Sequence, residues 1–320
     1  MNYRYLGNTG LRVSEIGFGA WAIGGLTSGQ TSYGEMDDDI SLDALLTAFD
    51  CGINFFDTAD IYGNGHSEEL LGKAFKEKRS KVIIASKCGY RRFDSGHDFS
   101  EQAIRTSLEN SLVRLQTDCL DLLQLHNPSV EIAENNGLIA VLNKLRDEGK
   151  IRVFGVSVKS PSDGLKFIRP AWQTIQCNFN MVDQRALNCG LISQAAAAGI
   201  GIIARTPLAF GFLSGNFAGK DVEFKEGDHR SRWPTEQIRI WAEAPRYFLK
   251  LNDNKSRTLS QLAIKFCVSF DGIATVIPGI TNKDEAVENS SVSGLEPLTK
   301  SEIEEIICIA KEHSFYVNTK

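Results

Sequence analysis

The sequence predicts an α/β chain folded as a (β/α)8 barrel, the TIM-barrel architecture, in a single domain spanning residues 1–320, with a long loop after the seventh strand and a C-terminal helix. Three observations carry this. Eight short, β-branched apolar runs recur along the chain, amphipathic segments at helical spacing separate them, and no compositional break or Pro/Gly/Ser linker divides the 320 residues. Strands that alternate with helices imply a parallel sheet, and eight such units suit a closed barrel better than a doubly wound sheet. A composition that is 42% hydrophobic and 23% charged supplies a sizeable core.

The runs are EIGFGAW (15–21), INFFDT (53–58), KVIIASK (81–87), LDLLQLH (120–126), RVFGVSV (152–158), TIQCNFN (174–180), IGIIART (200–206) and IATVIPG (273–279). Each is short and nearly continuous, as expected of strands buried on both faces. Between them, SLDALLTAFD and SEELLGKAF place apolar residues on one helical face. The longest spacer, residues 207–257, is rich in Gly and charge before helical periodicity resumes at LSQLAIKF. It reads as a large loop over one end of the barrel, of the kind that covers ligands. From Thr299, LTKSEIEEIICIAKEH reads as an amphipathic helix with Thr or Ser as its cap. GGLTSGQT (24–31) has the glycine spacing of a phosphate-binding loop, but Gln30 stands where that chemistry needs lysine, so it reads as a loop rimming a substrate pocket.

Charge and cysteine usage narrow the function classes. A net charge of −5 with a pI near 5.7 leaves no basic field for a phosphate backbone, so nucleic acid is not expected as a partner. The N-terminus lacks a basic-then-apolar signal and no apolar run reaches about 18 residues, so the expectation is a cytoplasmic protein without a membrane partner. Seven cysteines without CxxC spacing argue against a disulfide framework or a zinc site, and no metal is expected.

In a parallel barrel, chemistry sits at the C-terminal strand ends. Asp57 closes INFFD, Tyr62 follows in the next loop, Lys87 closes VIIASK and His126 closes DLLQLH. Singly, each has a plainer reading: a loop cap, rim packing, a solvated strand end, a satisfied core histidine. Together, at three successive strand ends, they make a proton donor with its tuning groups. A free tyrosine, with a pKa of about 10, is a poor acid at neutral pH, and an ammonium beside it lowers that value. Lys87 would tune Tyr62, Asp57 would hold Lys87 charged, and His126 would orient or share a proton with a substrate oxygen. Such a set suits protonation of a carbonyl oxygen as hydride reaches its carbon.

With these residues in place the sequence resembles the aldo-keto reductase family over nearly its whole length. GINFFDTADIYGNGHSEELLG looks like the family's first signature, and Lys87 in IASKCG and His126 in LLQLHNP match the remaining members of its catalytic tetrad. YRYLGNTGLRVSEIGFGAW, GKIRVFGVS, PLAFGFLSG and IPGITNKDEAVEN match in order. The resemblance implies that Tyr62 is the general acid in reduction and base in oxidation, and that a nicotinamide cofactor lies across the strand ends without a Rossmann domain. The absence of GxGxxG agrees with the second point.

The resemblance also implies cofactor contacts. Ala20, Trp21 and Asp57 fall at matching positions, and Ser157 and Gln176 match residues that hold the carboxamide, although Val158 replaces a common asparagine. Arg205 replaces an aromatic that stacks on the nicotinamide, a role a planar guanidinium can also fill. Pro207, Leu208, Gly211 and Leu213 match the segment that closes over the pyrophosphate, and Glu288 and Asn289 match adenine positions. Gly279, Thr281 and Glu285 replace basic or amide residues that meet a 2′-phosphate, with Lys283 nearby to offset the carboxylate. These residues lean towards NAD(H), but the family pattern alone makes NADP(H) the expected cofactor, with NAD(H) the alternative. Trp21, Tyr62, His126 and Asn127 would line the substrate pocket, and Ser28, Gln30, Asn64 and His66 could join Asn127 around a polyol. The expectation is an oxidoreductase for a small sugar-like or metabolic carbonyl or the matching alcohol. The alternative is a cofactor-binding regulatory or partner subunit, and the sequence leaves the oligomeric state undefined.

Overall fold

The computed structural model describes residues 1–26, 32–91, 96–252 and 257–317. All eight runs form strands: β3 (Phe18–Gly19), β4 (Phe55–Asp57), β5 (Ile83–Cys88), β6 (Leu120–His126), β7 (Ile151–Ser157), β8 (Thr174–Asn178), β9 (Gly201–Arg205) and β10 (Ile273–Ile277). They pair in parallel in chain order. Hydrogen bonds from Gly17 N to Val276 O and Gly19 N to Pro278 O, both 2.8 Å, join the last strand to the first.

The side-chain period of two gives each strand two buried faces. Outward residues such as Phe56, Ile84, Leu123, Phe154, Ile175 and Ile202 pack into the main core, which also holds Leu45, Leu71, Leu108 and Leu142 from the surrounding helices α1 (Asp38–Asp50), α2 (His66–Phe75), α3 (Glu101–Arg114) and α4 (Asn136–Asp147). Inward residues Phe55, Ile83, Leu122, Val153 and Ile203 form a second cluster inside the barrel.

An N-terminal hairpin, β1 (Tyr3–Tyr5) with β2 (Arg12–Ser14), was absent from the sequence expectation. Its Leu6, Leu11 and Val13 join the interior cluster and plug the N-terminal end. Three-residue strands are too short for periodicity to reveal. Gly7 makes the plug possible: its φ is +55°, and a Cβ there would stand 2.4 Å from Gly201 N.

The helices α5 (Pro161–Gly164), α6 (Arg185–Asn188) and α7 (Leu191–Ala197) follow β7 and β8. The 207–257 spacer is not all loop. It contains α8 (Thr235–Glu243), which buries Ile238, Trp241 and Ala242, and a 3-10 stretch over Ala244–Asn252. Flanking Gly and charge hid this short stripe. Helices α9 (Leu259–Val268), α10 (Lys283–Ser291) and α11 (Lys300–Glu312) complete the chain, and Thr299 caps α11 in a reciprocal capping box with Glu302. Among the described residues no helix is long and apolar enough to cross a membrane.

Of the 24–31 segment, residues 27–31 lie outside the described residues. Gly24 has a packing reason: a Cβ would meet Gly63 N and the Tyr62 carbonyl carbon at 2.9 Å, so the bare backbone lets this loop touch the loop that carries Tyr62.

Candidate active site

Where the inward faces reach the C-terminal strand ends, apolar residues give way to polar ones two positions on: Phe55 to Asp57, Ala85 to Lys87, Leu122 to Gln124 and His126, Ile203 to Arg205. The barrel thus brings Asp57, Lys87 and His126 together from three neighbouring strands, with Tyr62 on the loop beyond β4.

Asp57 and Lys87 are both enclosed, at 2% and 1% exposure. Lys87 Nζ donates to Asp57 Oδ1 at 2.5 Å, to Thr58 O at 2.8 Å and to Tyr62 OH at 3.2 Å, so all three ammonium donors are used. Asp57 Oδ2 accepts from Gln124 Nε2 at 2.9 Å and Gln176 Nε2 at 2.7 Å, and Ser157 Oγ donates to Gln176 Oε1 at 3.1 Å. A buried ion pair satisfied to this degree is rigid, and losing either partner would strand a charge.

Electrostatics follow from burial. Burial alone would lower the Lys87 pKa, but Asp57 and Tyr62 outweigh it and hold the ammonium charged. Tyr62 departs from the sequence expectation: burial raises its pKa, and this exceeds the lowering by Lys87. The phenol is therefore firmly protonated at neutral pH. His126 is pushed well below its ordinary value by burial first and then by Lys87 and Arg205, so its ring is neutral. The ring stands edge-on to Tyr62, centroids 6.0 Å apart, and its enclosed Nδ1 has no hydrogen-bond partner.

Asp57, Tyr62 and His126 line a cleft of about 950 Å³, with Lys87 enclosed beneath them. Trp21 and Tyr33 line one part of it, Pro207, Leu208 and Gly211 another, and Gly279, Thr281, Glu285, Glu288 and Asn289 a third. Asn127, Thr206 and Phe210 line it with φ of 50°, 57° and 59°, uncommon for non-glycine residues and frequent at functional sites. Among the other expected contacts, Asp57, Gln176 and Arg205 reach the cleft, whereas Ala20, Ser157 and Leu213 are buried behind it.

Lys283 does not answer Glu285. It is exposed, with its Nζ 3.9 Å from Asp43 of α1, while Glu285 Oε2 accepts from Thr281 N at 2.7 Å and Oγ1 at 2.9 Å. The polyol set is also dispersed. Ser28 and Gln30 fall outside the described residues, Asn64 lines a separate surface groove with Asp60, and His66 pairs with Asp38 at 2.8 Å. Of the described members of that set, Asn127 alone lines the cleft.

Sequence reasoning missed Gln124, Tyr33, Tyr90 and Arg230. Gln124 had a signal, a polar side chain inside an apolar strand two residues before His126. Tyr33 lies outside any helix or strand and Arg230 in a four-residue 3-10 turn, His229–Arg232, segments too short for periodicity to place them. Arg230 is clamped by Asp228 and lies 4.7 Å from the Tyr33 ring centroid.

The profile of the Aldo/keto reductase family matches residues 15–311. The chain belongs to this family. This aldo/keto reductase is 31% identical to L-galactose dehydrogenase of Arabidopsis thaliana over 324 residues, covering 95% of this chain and 93% of that protein. It is 32% identical to aldo-keto reductase YhdN of Bacillus subtilis over 306 residues, covering 92% and 89%. Among solved structures it resembles the glycerol dehydrogenase AKR11B4 from Gluconobacter oxydans, with a TM-score of 0.81 at 28% identity over 99% of this chain and 98% of that one. As a member of this family, the chain is an NAD(P)(H)-dependent oxidoreductase for the carbonyl–alcohol couple.

The cleft fits such a cofactor on its own terms. Its volume is at the upper end of the range of about 300–1,000 Å³ for ligand sites. A Cβ at Gly279 would meet nothing within 4 Å, and the enclosed Nε of Arg205 and Nδ1 of His126 lack partners.

Proposed function

We propose that Tyr62 is the proton donor for reduction of a small polyol-type carbonyl and the base for the reverse oxidation, with Lys87 and Asp57 as its tuning pair and His126 as the group that orients the reacting oxygen. The observation that carries this is the Asp57–Lys87–Tyr62 chain, 2.5 Å and then 3.2 Å, ending at the floor of the cleft. A bound nicotinamide supplies or accepts the hydride. The chain's own residues do the rest.

In reduction, Tyr62 passes its proton to the carbonyl oxygen as the carbon gains hydride. The phenolate left behind is 3.2 Å from an ammonium that a buried carboxylate keeps charged, which stabilises charge where it develops. A neutral His126 can donate one N–H to the same oxygen without competing as an acid. The polyol leaning rests on Asn127 in the cleft wall and on relatives whose names specify L-galactose and glycerol. A panel of carbonyls tests it: polyol-derived aldehydes and ketones should show higher kcat/KM than simple aromatic aldehydes, and parity or the reverse order removes the polyol reading.

The cofactor reading favours NAD(H). Glu285 and Glu288 both face the cleft, Glu288 accepts from Thr258 Oγ1 at 2.6 Å, and Lys283 is drawn towards Asp43. Among the described residues no lysine or arginine pairs with Glu285 or Glu288, so a 2′-phosphate there would meet carboxylates. Titration by quenching of the four tryptophans should give a Kd for NADH at least about tenfold below that for NADPH, a difference of about 1.4 kcal/mol. Tighter NADPH binding would reverse the assignment.

A further inference from the structure

Among the described residues, Arg205 carries the one charge at the cleft floor without a counterpart. Its Nη2 donates to Val158 O at 3.1 Å, and its enclosed Nε has no partner. Two carboxylates lie within electrostatic reach of it, Asp57 and Asp183. Each is already matched: Asp57 by Lys87 at 2.5 Å, and Asp183 by a two-pronged pairing with Arg185 at 2.8 and 2.7 Å. The neighbouring Tyr62 is protonated, Cys177 is held as a thiol with its pKa pushed up to about 12, and His126 is neutral. A guanidinium does not deprotonate in proteins. The floor therefore holds one net positive charge.

That charge is felt at Tyr62 and at His126, both of whose proton affinities it lowers. Gly19, Asp57, Tyr62, Gln176, Arg205 and Ile277 line the same cleft, so a ring that exchanges hydride beside the Tyr62 hydroxyl lies within the field of Arg205. The oxidised nicotinamide is cationic and the reduced one is neutral. We propose that Arg205 selects the redox state of the dinucleotide: its unmatched guanidinium repels the oxidised ring and leaves the reduced ring, so the cleft holds the reduced cofactor more tightly. This rests on the dinucleotide reading of the cleft. On the protein it tilts the couple towards alcohol plus oxidised cofactor giving carbonyl, reduced cofactor and a proton, and makes the reduced dinucleotide the slower to leave.

The test is binding, without turnover. Kd values for NADH and NAD+ are measured by tryptophan quenching for the wild-type protein, for the neutral variants Arg205→Met and Arg205→Gln, and for Arg205→Lys. At an effective dielectric of about 20, a like charge within about 10 Å corresponds to at least about a tenfold difference in Kd. The wild-type protein should favour NADH by at least about tenfold. The ratio should shrink by at least about fivefold in both neutral variants, chiefly through tighter NAD+, and persist in the lysine variant. Gln keeps an amide donor for Val158 O, so it serves if Met perturbs folding. An unmoved ratio in the neutral variants, or a lysine variant that behaves like them, overturns this inference alone. Failure of the wild-type protein to bind either dinucleotide overturns it together with the reading beneath it.

Discussion

The two ends of the barrel are built from the same strands and do opposite work. At the N-terminal end, Phe55, Ile83, Leu122, Val153 and Ile203 point inward, and a hairpin seals them with Leu6, Leu11 and Val13. At the other end, positions two or four residues later on several of these strands are Asp57, Lys87, Gln124, His126 and Arg205. The first end gains stability from burial; the second holds charges that burial disfavours and that only mutual pairing makes tolerable. A parallel barrel separates stability from chemistry along the length of one strand.

The sharpest way to break this comparison is at Tyr62. Tyr62→Phe removes the proton donor and keeps the ring, so kcat should fall by about 10²–10⁴-fold while the dinucleotide Kd and thermal midpoint stay near wild type. Comparable losses in binding or stability would place Tyr62 in the structural class. The same residue fixes a pH dependence. Because burial holds Tyr62 protonated, reduction should be flat through neutrality, whereas oxidation, which needs the base form, should accelerate as pH rises into the alkaline range. Because the His126 pKa is lowered, neither direction should lose rate to its protonation until well below pH 6.5.

At the opposite end, Leu122→Ala should cost about 2–5 kcal/mol of unfolding free energy, read by urea denaturation, with the NADH Kd nearly unchanged. A change confined to binding would show that the plug communicates with the site. The smallest expected effect is at Asp60, which lies on the loop between Asp57 and Tyr62 but faces the side groove. Ser107 donates to its Oδ2 at 2.6 Å, its Oδ1 is enclosed without a partner, and burial raises its pKa to about 7. A carboxyl whose folded pKa exceeds its unfolded value stabilises the fold less as pH rises from about 4 to about 7. Asp60→Asn should therefore be neutral near pH 4 and become steadily more stable than wild type up to about pH 8, read as a rising difference in thermal midpoint. A constant difference across that range would mean that Asp60 does not titrate in the fold.

The strands were legible because inward and outward faces are both apolar, leaving continuous runs that turn residues delimit. Helix α11 was legible through Thr299 and its apolar period. Hairpin β1–β2 and helix α8 were not, since three-residue strands and a nine-residue helix amid Gly and charge give periodicity too little length. In the site, Asp57, Lys87 and His126 could be found because each closes an apolar run. Gln124 was readable by the same period-two logic, whereas Tyr33 and Arg230 come from irregular segments and a single 3-10 turn whose paths no local pattern encodes.

The sequence by itself determined the eight strands, their parallel order and the positions where polar residues end them, because these depend on local periodicity and side-chain type. Only the tertiary structure decided the charge states and the pairings. It made burial win over Lys87 at Tyr62, turned Lys283 away from Glu285, and matched Asp57 and Asp183 with other cations while leaving Arg205 unmatched among the described residues. Those outcomes depend on distances and desolvation between residues far apart in the chain, and such terms exist only once the barrel has closed.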